Sequence, residues 1–424
     1  MPNSRYPLKT PTDSLKHEIL PDSVKHITPQ NKESKLRPVK VGAREYSRHR
    51  IALHNVDPNS KLVEKSKSQV FHRQAKIRRE GTPVLSHNLR KRKVFRDADE
   101  PEERKDRKQQ RLASNNLKVD SDNTGVRTRL WTDLDILERR DPSMVAEYSG
   151  EIFGFLYKRE LETMASHNYL LDSELPNYIR PAVRAILVDW LVEVHDKFQC
   201  FPETLYLTIN LMDRFLADNK VSTDKLQLLA VTSLFIAAKF EEIHLPKLSE
   251  YAYITDGAAT TADIKTAELY MLIKLKFDIG WPNPLNFLRR ISKADEYHTR
   301  TRNIGKFLLE YAMCCHHFIT CKSSELAAIA MYVARRIEGR NDILWDETFK
   351  HYSGGIDALH DEVFQKNCRT LITEISSPQT KLDALRAKYS REEFGSVYQD
   401  IDTWCTRMTQ GNFDGLFSPQ QHKE

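Results

Sequence analysis

The chain is 424 residues long, enough for two or three domains, but its charge is unevenly divided. Up to Leu130 there are 31 Lys and Arg against 16 Asp and Glu, and in the remainder 34 against 43. All five tryptophans (Trp131, Trp190, Trp281, Trp345, Trp404) fall in the acidic remainder, so the first part lacks the large apolar groups that offset ordering entropy and reads as a disordered basic tail. The first thirty residues are polar and dotted with proline, against a signal peptide; the apolar run over 228–238 is shorter than the about 20 residues a bilayer span needs; and six cysteines with no CxxC pair argue against a disulfide framework.

In the tail, Arg50-Ile-Ala-Leu53-His-Asn-Val56 spaces a cation and two apolar anchors in a polar stretch, as short linear recognition elements do. The same Arg-x-x-Leu spacing recurs from Arg127 to Leu130, so spacing alone singles out neither. Arg90-Lys91-Arg92-Lys93 suits capture by a nuclear-import receptor, a nonspecific polyanion contact or simple solvation. Thr10, Thr28 and Thr82 each precede proline and are candidates for proline-directed phosphorylation, which would lower the local positive charge.

From Trp131 onward the helical period dominates and the body reads as all-α. The first group of helices is predicted near 143–163, 178–198, 203–217, 223–242, 247–254 and 261–277. A second group follows near 284–293, 299–317, 323–337, 357–375, 379–388 and 393–409. Gly280-Trp-Pro-Asn-Pro284 separates the groups, because two prolines two apart do not fit inside a helix.

The helix that begins Val183-Arg-Ala-Ile-Leu-Val-Asp-Trp190 is apolar nearly all round. Val183, Ile186, Leu187, Trp190, Leu191, Val194 and Phe198 recur at helical spacing, while Ala185, Val188 and Val192 cover the far side, so two faces need two sets of partners. In the helix over 223–242 the polar exception is Lys239, one turn beyond Phe235 and Ile236. In the helix over 261–277 Glu268 interrupts a stripe of Ile264, Met271, Leu272 and Leu275. An unpaired buried ion costs several kcal/mol or more, so each charge needs a partner. Either the two neutralise each other inside the domain, or they lie at a surface beside Phe240 and Phe277 and bond the backbone of a docking chain; the pattern leaves both open.

Cys314-Cys315-His316-His317 with Cys321 lacks the paired spacing of zinc sites, so packed helix residues and no metal are expected. A phosphate-binding glycine loop, a GxSxG elbow, HExxH and the kinase motifs are all missing, which favours a binding protein over an enzyme.

Val183 to Glu193, Pro202 to Leu207, Asn210 to Leu216, Lys225 to Leu228 and Ala238 to Ile243 closely resemble, in order and spacing, the cyclin box. Trp281 to Asp295 resembles the opening of the second cyclin fold of B-type cyclins, particularly fungal ones, and the likeness covers about residues 131–410. The resemblance implies two tandem five-helix cyclin folds preceded by an N-terminal helix and the long disordered basic tail. The corresponding divisions are 1–130 for the tail, 131–177 for the lead-in and N-terminal helix, 178–281 and 282–410 for the two folds, and 411–424 for a short tail. It further implies a regulatory subunit, without catalytic residues or cofactor, that activates a cyclin-dependent kinase.

By the same resemblance, Lys239 and Glu268, with Phe240, Glu242 and Phe277, contact the kinase around its mobile C-helix. Tyr148, Ile152 and Phe155 brace that surface. Val183, Leu187, Trp190 and Gln227 form a shallow groove for Arg-x-Leu peptides of substrates and inhibitors, with Glu193 meeting the arginine; Val183 stands where the family commonly has methionine. Arg184 and Asp213 read as an internal, fold-stabilising pair. Arg50, Leu53 and Val56 resemble a destruction box read by a ubiquitin ligase of the anaphase-promoting type, with Pro58 at the ninth place where asparagine is common. Residence in nucleus and cytoplasm, mainly nuclear, is expected. The rival reading is a tandem cyclin-fold transcription factor on promoter DNA. It would typically bring an N-terminal zinc ribbon, yet no cysteine precedes Cys200, and the acidic body is poorly suited to phosphate contacts. Neither membrane nor direct nucleic-acid binding is expected.

Overall fold

A computed structural model describes residues 130–340 and 345–418. The tail readings at Arg50, Leu53, Val56 and Arg90 to Lys93 lie outside the described residues. Among those residues every regular element is a helix.

A short helix α1 (Asp135–Glu138) precedes the N-terminal helix α2 (Ser149–Glu162). The expected start near 143 is too early: Pro142–Met144 and Ala146–Tyr148 form single tight turns around Val145, whose φ of 49° interrupts the helix. Phe153 and Tyr157 of α2 pack on Phe287, with ring centroids 6.0 and 5.2 Å apart.

The first fold comprises α3 (Pro181–Phe198), α4 (Pro202–Asp218), α5 (Leu226–Glu241), α6 (Leu248–Ile254) and α7 (Thr261–Lys274). Pro181 and Pro202 sit in the first turns of α3 and α4, where the missing N–H costs nothing. A capping box between Thr260 and Asp263 starts α7. Central helix α5 lies against α3, α4 and α7, and the whole run from Leu229 to Ala238 is buried, as a helix without a polar stripe requires. Helix α7 stops at Lys274 instead of reaching 277, because Lys276 and Phe277 adopt left-handed φ values of 55° and 56°.

The second fold holds α8 (Pro284–Ile291), α9 (Thr299–Cys314), α10 (Ser323–Ile337), α11 (Glu347–Tyr352), α12 (Glu362–Ser376), α13 (Asp383–Tyr389) and α14 (Tyr398–Gln410). Here α10 takes the central place, against α8, α9, α12 and α14. Helix α12 begins five residues later than expected because the Asp361 carboxylate accepts the Val363 and Phe364 N–H groups at 2.9 and 3.0 Å and so caps it there. Helix α14 likewise begins at Tyr398 rather than 393. Cys314 and Cys315, at the end of α9, are buried.

Helix α3 joins the folds, and its polar residues explain how. Arg184 donates from Nε and Nη2 to the Asp213 carboxylate at 2.8 and 2.6 Å, and to the Met313 and Cys314 carbonyls of α9 at 3.0 and 2.9 Å. Burial opposes the charge, but the Asp213 carboxylate outweighs it and holds the guanidinium above its usual pKa. The internal pair read from the sequence is thus present, and it also spans the two folds. Asp189 accepts the Ala384 and Leu385 N–H groups, both at 3.1 Å, capping α13. Asp196 pairs with Arg391 at 2.8 Å. Helix α3 thus packs on two partners, the first fold's core and the second fold, and leaves a half-buried strip at Val183, Ile186 and Trp190.

Candidate protein-docking site

Lys239 lies in the last turn of α5 and Glu268 in the middle of α7, and their facing helices bring Nζ to 2.6 Å from Oε1. The lysine side chain is 45% exposed and the glutamate side chain 15%, so the pair lies at the surface. Both features left open by the sequence therefore coexist: mutual pairing and access from outside. Lys239 Nζ also sits 4.4 Å from the Phe235 ring centroid, which fixes the ammonium at the edge of the core. One carboxylate oxygen and two ammonium hydrogens remain for a partner.

The surroundings are apolar and open. Phe240 and Phe277 are more than half exposed, as are Ile243 on the loop after α5 and Leu269, Tyr270 and Ile273 on α7. An apolar patch of this kind around an ion pair is unusual on a chain that acts alone. Sequence reading missed the α7 residues, although Leu269 follows Glu268 directly and Leu269 and Ile273 are four apart on one face. The N-terminal helix and the turn before it add exposed Tyr148, Ile152 and Phe155. Its other side is anchored by Glu160, which accepts the Ser324 N–H and hydroxyl at 2.9 and 2.8 Å.

Glu242, expected near the kinase contact, is half-buried and has internal partners. Its Oε1 accepts the Phe201 N–H at 2.6 Å and the Thr204 hydroxyl at 2.5 Å, so it ties the start of α4 to the end of α5. Burial, and then this carboxylate, push the Cys200 thiol up to about 12.

On α3 and α5, Val183, Trp190 and Gln227 are half-buried, and exposed Glu193 pairs with Lys197 at 2.7 Å. Leu187, expected in the groove, is 1% exposed and packs in the core, and its neighbour Ile186 is half-buried. Among the described residues no His, Cys, Asp and Glu group is placed to hold a metal ion, and no helix is long and apolar enough to cross a membrane.

Comparison with known proteins matches this architecture to two family models in tandem, the cyclin N-terminal domain over residues 151–280 and the cyclin C-terminal domain over 282–402. The S-phase entry cyclin-5 of Saccharomyces cerevisiae is 64% identical over 68% of this chain and 66% of its own length. For S-phase entry cyclin-6 of the same yeast the identity is 48%, over 78% of this chain and 82% of the relative. A G2/mitotic-specific cyclin of Candida albicans is 41% identical over 66% of this chain and 55% of its own length. Two tandem helical folds, each matching its half of the family pattern, together with these relatives, show that the chain belongs to the cyclin family, whose members are regulatory subunits and not enzymes.

Proposed function

We propose that this cyclin binds and activates a cyclin-dependent Ser/Thr kinase through the surface centred on Lys239 and Glu268. The observation that carries this reading is an ion pair, 2.6 Å long and open to solvent, set among exposed Phe240, Phe277, Ile243 and Ile273. Catalysis by such a kinase needs its strand lysine paired with a C-helix glutamate and its activation loop ordered. A regulatory chain that binds the inward C-helix state better than the outward one shifts the population toward activity. Moving the balance from 1:99 to 99:1 takes about 5.5 kcal/mol of differential binding. One surface ion pair contributes about 0–1 kcal/mol, so the apolar residues supply most of the difference and the ion pair sets the register.

The strip around Val183, Trp190 and Gln227, with Glu193 at its rim, is the proposed docking groove for Arg-x-Leu substrates and inhibitors. Arg50, Leu53 and Val56 would direct removal through a ubiquitin ligase of the anaphase-promoting type, and Arg90 to Lys93 would favour nuclear residence. The names of the relatives support action in S phase, at G2/mitosis or in both. The test is reconstitution with purified cyclin-dependent kinase: the chain should form a stoichiometric complex and raise histone phosphorylation. Retention on promoter DNA with no kinase bound would favour the transcription-factor reading instead.

A further inference from the structure

We infer that Arg159 is a positioning residue for kinase capture, latching the N-terminal helix to the turn that carries Phe277 so that both exposed aromatic faces meet the kinase as one surface. The inference rests on the kinase-binding reading above. Tyr148, Ile152, Phe155 and Arg159 follow the spacing i, i+4, i+7, i+11, which places them along one side of α2. The first three are exposed, but the fourth turns onto the first fold, with its side chain 22% exposed. Its Nη2 donates to the Asp278 carboxylate and, at 3.2 Å, to the Gly280 carbonyl; its Nη1 donates to Glu162 at 2.8 Å.

The two groups that Arg159 holds flank the exposed aromatics. Asp278 directly follows Phe277. Gly280 lies so close to Phe240 that a methyl group there would stand 3.9 Å from its ring. Phe277 and Lys276 are successive non-glycine residues with left-handed φ, a conformation that bulky side chains avoid and that persists where surroundings impose it. Arg159 supplies part of that support through Asp278, whose other carboxylate oxygen lies 4.0 Å from Arg214.

The remaining anchors of α2 run elsewhere. Phe153 and Tyr157 rest on Phe287, and Glu160 bonds Ser324, so these ties go to the second fold, while at the end of α2 the Thr163 carbonyl accepts the Asn210 side-chain amide of α4 at 2.9 Å. Without the guanidinium, α2 stays attached to the second fold and, through Thr163, to α4, but loses its direct tie to the Phe277 turn.

The test compares kinase binding and thermal unfolding of the full chain and its variants. Arg159→Leu should weaken binding about tenfold while leaving the unfolding temperature nearly unchanged, and Arg159→Lys should recover part of the loss. Phe155→Ala should cost several-fold less binding in the Arg159→Leu background than in the wild type, a coupling that general destabilisation would not produce. Asp278→Asn, which preserves size, serves the same purpose if Arg159→Leu fails to fold. Binding within about twofold of wild type by Arg159→Leu and Asp278→Asn, while Lys239→Ala is impaired, would overturn the latch and leave the interface standing. A full Phe155→Ala effect in both backgrounds would also overturn it. Wild-type binding by the Lys239→Ala variant as well would remove the interface itself.

Discussion

Arg184 meets Asp213 through two hydrogen bonds of 2.8 and 2.6 Å at a site where both side chains are almost completely buried. Removing one partner of such a pair leaves the other charge without compensation, at a cost of about 3–5 kcal/mol. Arg184→Leu, with only the Tyr169 hydroxyl left on Asp213 at 2.9 Å, should lower stability by that amount. Urea unfolding measures it. Because Arg184 also holds the Met313 and Cys314 carbonyls, both folds should lose stability together in one shifted transition.

Phe277 separates stability from binding. Its φ of 56° is unfavourable for an aromatic residue and ordinary for glycine. Phe277→Gly should therefore leave stability unchanged or raise it by up to about 1 kcal/mol, while kinase affinity falls because the exposed ring is gone. Parallel denaturation and binding measurements on one variant check both signs.

Acid should weaken the fold before the carboxylates titrate. Burial, with the nearby Lys388 ammonium, lowers the His195 pKa from 6.5 to about 4, and its Nε2–H donates to the Phe201 carbonyl at 2.8 Å. Between those two values the unfolded chain binds more protons than the folded one, so stability falls as pH falls, by roughly 3 kcal/mol once below pH 4. His316, also lowered to about 4 by burial, adds a second contribution. Stability measured from pH 7 to 4 should show a slope that His195→Gln reduces by about half; an unchanged slope would place the titration elsewhere.

Docking should separate from activation. Val183→Ser with Trp190→Ala, leaving buried Leu187 untouched, should reduce phosphorylation of Arg-x-Leu substrates by roughly tenfold and spare a peptide substrate that lacks the motif. Assaying both substrates with one complex provides the comparison, and equal loss on both would mean that the strip is structural.

The parts that could be read from sequence are those where one physical constraint dominates. Pro282 and Pro284 mark the division between folds, and α5 was legible as central because it lacks a polar stripe. Lys239 and Glu268 were legible because a charge in an apolar stripe demands a partner, and Arg184 with Asp213 through the resemblance to the cyclin box. The inward side of α3 was not, since a helix apolar nearly all round gives no direction, and the depth to which Leu187 is buried could not be read from it. Helices α1 and α11 are too short to display a period. The internal bonds of Glu242 and the latch of Arg159 were not legible, because their partners, Phe201 and Thr204 for the one and Asp278 and Gly280 for the other, are brought near only by the fold.

The central claim is that the surface around Lys239 and Glu268 holds the kinase. Its most direct test is the dissociation constant of the purified full chain for a cyclin-dependent kinase subunit, measured for wild type and for Lys239→Ala with Glu268→Ala. A loss of about fivefold, with activation reduced in parallel and the unfolding transition retained, is the predicted result. Affinity and activation within about twofold of wild type would contradict it.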